Sequence, residues 1–176
     1  MLIEFEGRKP RIGNNVFIAP TAVLIGDVEV GDDSSIWFGA VLRGDLGPIR
    51  VGKRCSIQDN VSIHVFDTSP TIVHDDVTVG HNCVLVGCKL GRETIIGMNC
   101  RALTFAKTGE QVMLAAGSVI SEGATFGDRL LLAGAPARVK KELSGNALEW
   151  TNRAAKDYVT LKGRYLDQGI GTEKGR

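Results

Sequence analysis

A six-residue repeat of apolar residues runs through most of this sequence and constrains its fold more than any other feature. The series shifts register at two insertions and at one shortened step. Glycine often follows a repeated position, as in "VGDD", "VGHN" and "IGMN". All but two members are large and apolar, and the series is Ile12, Ile18, Leu24, Val30, Ile36, Leu42, Val51, Ile57, Ile63, Val73, Val79, Leu85, Leu90, Ile96, Ala102, Thr108, Leu114, Ile120, Phe126 and Leu132.

A period of six fits neither an amphipathic helix nor an ordinary meander of strands. It is typical of the hexapeptide type of parallel β-helix, in which the repeated side chain points inward and glycine permits a tight corner. A β-sandwich with regular turns would produce this register only by chance. We therefore predict an all-β solenoid, a parallel β-helix of hexapeptide repeats, over residues 1–139.

The C-terminal part of the chain has a different pattern. Five residues fall on one stripe at helical spacing, which predicts a helix from Asn146 to Leu166, in a C-terminal unit of residues 140–167 that packs along the solenoid. They are Leu148, Ala155, Tyr158, Val159 and Tyr165. The polar, glycine-containing residues 168–176 are expected to form a flexible tail.

Composition excludes several classes of function. The chain has 21 basic and 20 acidic residues, so nothing indicates binding to nucleic acid or to an anionic membrane. No apolar run approaches the roughly 20 residues of a membrane span, and the start "MLIEFEGRKP" lacks the apolar core of a signal peptide. The four cysteines show no CxxC spacing, so we expect reduced thiols in a cytoplasmic protein.

Four motifs point to a known family. The stretches "SIWFGAVLRGD", "SIQDNVSIH", "VTVGH" and "AGAPARVKKEL" resemble the gamma-class carbonic anhydrases, and the similarity extends from Ile12 to about Tyr165. The resemblance implies a left-handed β-helix with three hexads per triangular coil, and assembly into a homotrimer. It also implies a zinc ion between subunits, held by two histidines of one subunit and one of the next.

Counting hexads shows which side chains stack on one face of the solenoid. One outward column contains Arg43, His64, Val86 and Leu103. His64 and His81 match two of the family's zinc ligands, and His81 falls on a different face. The third ligand should occupy position 86, where valine has no lone pair to offer. An intact three-histidine site is therefore excluded, because the remaining histidine, His74, lies on the third face.

Other residues could replace the missing ligand. Asp67 could supply an oxygen, and Cys88 could approach after a rearrangement of its turn, whereas Cys83 falls at an inward position of its hexad. Occupancy by zinc, iron or cobalt is thus an open question.

The resemblance assigns roles to further residues. Gln58 matches the residue that orients a metal-bound hydroxide, and Ser56 stands where the family often has asparagine. Arg43 and Asp45 resemble a buried ion pair of the trimer interface. Asp67 is also a candidate proton relay. Tyr158 resembles a tyrosine near the family's cavity, although packing of the terminal helix explains it equally well.

Three functions agree with these features. The first is carbonic anhydrase-like interconversion of CO2 and bicarbonate, weak or lost because of Val86. The second is a trimeric homologue that serves in binding or assembly. The third is acyl-CoA-dependent acyl transfer, since "AGAPARVKKEL" also resembles a coil end of the hexapeptide acyltransferases, although the two insertions are short for such enzymes.

Overall fold

The computed structural model describes residues 1–66 and 69–171, and the residues between these ranges include Asp67. The described part of the chain contains 20 short strands followed by one helix. The strands are β1 (Leu2–Ile3), β2 (Arg11–Ile12), β3 (Phe17–Ile18), β4 (Val23–Val30), β5 (Ser35–Ile36), β6 (Val41–Val51), β7 (Ser56–Ile57), β8 (Ser62–His64), β9 (Thr71–Val73), β10 (Thr78–Val79), β11 (Val84–Val86), β12 (Lys89–Leu90), β13 (Ile95–Ile96), β14 (Arg101–Ala102), β15 (Lys107–Thr108), β16 (Met113–Leu114), β17 (Val119–Ile120), β18 (Thr125–Phe126), β19 (Leu130–Gly134) and β20 (Ala137–Glu142), and the helix is α1 (Gly145–Asp167).

The strands stack into a solenoid with three faces. Two faces belong to one sheet, joined by the long strand β6, which pairs with β8 at its start and with β9 at its end. The face formed by β8, β11, β14 and β17 is called the His64 face, and the face of β9, β12, β15 and β18 the third face. The helix face is a separate sheet in the order β20-β19-β16-β13-β10-β7-β5-β3. The predicted left-handed parallel β-helix is confirmed.

The repeated apolar side chains form one continuous core. Leu42, Ile63 and Leu85 stack on successive coils and are at most 1% exposed. Thr108, the polar member of the series, is buried as well, and its hydroxyl oxygen accepts a hydrogen bond from the Gly91 N–H at 3.0 Å. A hydroxyl is tolerated at this inward position because it has a backbone partner.

The glycine that follows many repeated residues has a steric cause. A Cβ atom placed on Gly91 would lie 2.1 Å from the carbonyl oxygen of Gly109 one coil away. Gly127, one coil further along the same corner, has no atom within 4 Å of such a Cβ. Close stacking of successive corners therefore requires glycine inside the column, and the requirement ends with the last coil.

The end of the solenoid differs in detail from the sequence-based boundaries. All paired strands run parallel except β20, which turns back antiparallel along β19. Helix α1 begins at Gly145, next to the predicted start at Asn146, whereas the boundary predicted between residues 139 and 140 falls inside β20, which pairs with β19. The described chain ends at residue 171, so most of the predicted tail lies outside it.

Helix α1 packs on the helix face through an aromatic cluster. Tyr165 contacts Phe17, Trp37 and Phe38, with ring centroids 5.5, 5.2 and 6.1 Å away, and Tyr158 lies 5.9 Å from Trp37. Three residues of the helix, Thr151, Ala154 and Ala155, are buried, and the helix contacts strands β3, β5 and β7 of the first coils. In the described ranges, we find no helix with the length and apolarity to cross a membrane.

Candidate functional site

The column predicted on the His64 face is present. Strands β6, β8 and β11 lie in register, so that Arg43 pairs with His64 and His64 pairs with Val86. All three side chains point outward, because the alternate residues Leu42, Ile63 and Leu85 fill the core. Val86 therefore lies one strand away from His64, at the place where a third metal ligand was expected.

His64 already has a partner within its own chain. Its Nε2 lies 2.8 Å from Oδ1 of Asp45, and Arg43 donates a hydrogen bond to the other oxygen of the same carboxylate. Burial raises the pKa of Asp45, but the hydrogen bonds from His64, Arg43 and the Leu46 N–H outweigh it and hold the pKa at about 2. The carboxylate is thus ionised at neutral pH and fixes the position of the imidazole.

Of the suggested replacement ligands, neither cysteine completes a donor set around His64. Cys88 is 0% exposed, and burial raises the pKa of its thiol to about 12, which disfavours the thiolate that binds metals. Cys83 is buried in the core, as its place in the hexad predicted. Asp67, the candidate ligand and proton relay, lies outside the described residues.

A second group of polar side chains lies on the helix face. Gln58, Thr78, His81 and Tyr158 line a pocket of about 230 Å³ between strands β7, β10 and β13 and the helix. The predicted residues Gln58, His81 and Tyr158 are therefore brought together. Ser56 does not line this pocket, because it is fully buried and its hydroxyl oxygen accepts a hydrogen bond from Trp37 Nε1 at 3.1 Å.

His81 is oriented by a carboxylate that the sequence reasoning missed. Its Nδ1 lies 2.8 Å from Oδ2 of Asp59. The register of β7 and β10 pairs Ile57 with Val79, which places Asp59 beside His81 one coil away. The same counting of hexads that located Gln58 could have found this contact. Thr78 and Trp150 were missed as well, because only docking of the helix makes them part of a pocket.

The two histidines do not meet within one chain. His64 lies on the His64 face and His81 on the helix face, so a single subunit separates them around a corner of the solenoid. His74 lies at the corner of the third face, as predicted, in a groove with Arg11, Arg50 and Asp75.

The sequence matches the family "Bacterial transferase hexapeptide (six repeats)" over residues 9–44. Gamma carbonic anhydrase 2, mitochondrial, of Arabidopsis thaliana is 36% identical over 91% of this chain, and the chain spans 60% of that protein's length. The carbonic anhydrase of Geobacillus kaustophilus is 36% identical over 94% of this chain and 90% of its own length. The chain belongs to the hexapeptide-repeat family that includes the gamma carbonic anhydrases.

Other members of this hexapeptide-repeat family have different names. Carnitine operon protein CaiE of Escherichia coli is 39% identical over 91% of this chain and 82% of its own length. A crystal structure from Bacillus cereus, the product of the BC4754 gene and named as a candidate acetyltransferase, superposes with a TM-score of 0.93. It is 36% identical and covers 96% of this chain and 98% of its own. Membership of the family therefore does not by itself select one activity.

Carbonic anhydrase relatives imply a metal cofactor in the family, and the residues here do not fit a three-histidine site. Val86 supplies no donor beside His64, and Nε2 of His64 is in contact with Asp45. Within residues 1–66 and 69–171, no three His, Cys, Asp or Glu side chains are grouped so that they could hold a metal ion. Among the described residues, the third protein ligand that a catalytic zinc typically has is thus missing beside His64.

Proposed function

We propose that this protein is a gamma carbonic anhydrase-like homotrimer in which CO2/bicarbonate interconversion is weak or lost, and that it now serves mainly in small-molecule binding. The observation that carries the proposal is the pairing of Val86 with His64 on adjacent strands. A metal shared between subunits would have two imidazoles at most, because position 86 offers only methyl groups. Zinc, iron or cobalt would then bind below one ion per subunit.

The polar contacts of both histidines support this proposal. In the proposed trimer, the His64 face of one subunit meets the helix face of the next, which brings His64 toward His81. Each ring is fixed by a carboxylate of its own chain, Asp45 or Asp59. Arg43 and Asp45 belong to the assembly contact, and Gln58 and Tyr158 remain available to a small ligand in the pocket.

Restoration of the missing ligand tests the proposal. Val86→His should raise the metal content of protein purified without a histidine tag from well below one ion toward one ion per subunit, because a third imidazole completes the donor set. Metal is measured by plasma mass spectrometry and activity by CO2 hydration.

Leu103→His is the matched control, since it adds a histidine to the same column one coil further from His64 and should leave the metal content low. Stoichiometric metal and rapid CO2 hydration in the unaltered protein would overturn the proposal. So would a Val86→His protein whose metal content does not change.

Acyl transfer is the second candidate. The hexapeptide transferase match and the name of the Bacillus cereus structure favour it. Calorimetry with acetyl-CoA tests it directly. Saturable binding at micromolar acetyl-CoA would support acyl transfer as the function. Absence of a heat of binding up to millimolar acetyl-CoA would exclude it.

A further inference from the structure

The pocket on the helix face is lined by a buried hydroxyl without a partner. Thr78 is 5% exposed, and its hydroxyl makes no hydrogen bond to any residue that the structure describes. Gln58, also 5% exposed, lines the same pocket and presents a side-chain amide there. Buried hydroxyls and amides are normally hydrogen-bonded, because desolvation without a partner costs free energy. The unpaired Thr78 hydroxyl beside the Gln58 amide indicates a polar ligand atom between them.

The remaining walls are apolar. Ile95, Ile96 and Ala154 line the pocket together with Met98 and Trp150, two large side chains that stay 53% and 47% exposed. The volume of about 230 Å³ exceeds that of a cavity of about 150 Å³ that holds benzene. A ligand of roughly 6–10 non-hydrogen atoms with an apolar body therefore fits.

The charge around the pocket selects against anions. No arginine or lysine is among its lining residues in the described chain, whereas the Asp59 carboxylate is bound to His81 at the polar end. Burial, and then the charge of Asp59, raise the pKa of Tyr158, in agreement with a negative charge beside the pocket. Within one subunit, a carboxylate or bicarbonate ion would therefore meet no lysine or arginine among the described lining residues.

We propose that this pocket binds a small uncharged carbonyl compound, with the carbonyl group hydrogen-bonded between Thr78 and Gln58 and the apolar body against Ile96 and Trp150. The inference rests on the proposed function, because a bound metal at this site would attract anions instead. The shared chemistry is that of an uncharged amide or of the acyl group of an ester. The Gln58 amide can both donate to a carbonyl oxygen and accept from an amide N–H.

Three probes of similar size test the proposal on the full-length protein: benzamide, benzoate and toluene. Binding is measured by calorimetry and by the fluorescence of Trp150. Benzamide should bind at least about tenfold more tightly than either other probe, since only benzamide is both uncharged and able to hydrogen-bond. Equal or tighter binding of benzoate or toluene, or no binding of benzamide at millimolar concentration, would overturn it. Methyl benzoate distinguishes an amide ligand from an ester ligand. If it binds as tightly as benzamide, the ligand is an ester, and if it binds more weakly, the ligand is an amide.

Single substitutions locate the ligand. Thr78→Val and Gln58→Leu should each weaken benzamide binding about five- to tenfold, whereas Thr125→Val, at an exposed position of the third face, should not change it. Thr78→Val removes an unpaired buried hydroxyl, so thermal unfolding should show that this variant remains folded. Benzamide affinity unchanged in both pocket variants would contradict the assignment.

Failure of this inference can be told apart from failure of the proposed function. The titrations are repeated after treatment with a chelator and after addition of zinc. Selective benzamide binding in the chelated protein supports the inference whatever the CO2 assay gives. The proposed function is tested by metal content and CO2 hydration alone.

Discussion

Asp45 is the side chain on which the polar contacts of the His64 face converge. It accepts hydrogen bonds from Arg43 and from the Leu46 N–H, and it contacts His64. With three neighbours holding it in its ionised form, this carboxylate determines where the imidazole of His64 points. A ligand bound at His64 therefore competes with an internal partner that is already in place.

Asp45 should make stability depend on pH in the acid range. Its folded pKa of about 2 lies below the value of roughly 3.9 expected in the unfolded chain. A carboxyl with a lowered folded pKa stabilises the protein above its unfolded pKa, and this contribution is lost as the pH falls from about 4 to about 2. Asp45→Asn should thus lower the free energy of unfolding at pH 6, and the deficit should shrink toward pH 2.

Urea denaturation at pH 6 and pH 2.5 measures both deficits. Asp157→Asn, on the exposed side of the terminal helix, is the control and should change stability little at either pH. An Asp45→Asn deficit of the same size at both values would mean that the carboxylate charge does not matter.

The strand element repeats so regularly that its corners can be compared at equivalent positions. Gly91→Ala should destabilise the protein by about 1–3 kcal/mol, because the new methyl group meets the Gly109 carbonyl oxygen. Gly127→Ala, on the same corner of the last coil, should change the free energy of unfolding by less than about 0.5 kcal/mol. Chemical denaturation of the two variants gives the comparison. Equal effects would show that backbone freedom, rather than stacking, explains these glycines.

Features set by local repetition could be predicted from the sequence, and features set by docking could not. The period alone predicted that His64 and Val86 share a column and that His81 lies on another face. The reversal of β20 left no periodic signal, so the predicted end of the solenoid at residue 139 falls inside that strand. The contact of Trp150 with the pocket depends on where the helix lies, which the sequence pattern does not fix. The contact of Asp59 with His81 could have been predicted by the counting of hexads that located Gln58.

At the scale of the whole molecule, one subunit carries two partial sites on different faces. The proposed trimer joins them, and the ion pair of Arg43 and Asp45 lies on the face that would meet the neighbour. Arg43→Ala should therefore shift the population from trimer toward smaller species in size-exclusion chromatography with light scattering. Lys107→Ala, which removes a cation from the third face, should leave the trimer intact. A trimer unaffected by loss of Arg43 would reduce this pair to a contact within the subunit.

The strands at each end of a parallel solenoid have unpaired backbone N–H and C=O groups, which can pair with a strand of another copy. At the C-terminal end, the antiparallel strand β20 occupies the edge that β19 would otherwise expose. Its exposed side chains include Arg138, Lys140 and Lys141. Charged edge strands repel further strand addition. The hairpin therefore protects the β19 edge from pairing with another copy, whereas β17 and β18 are the last described strands of the other two faces.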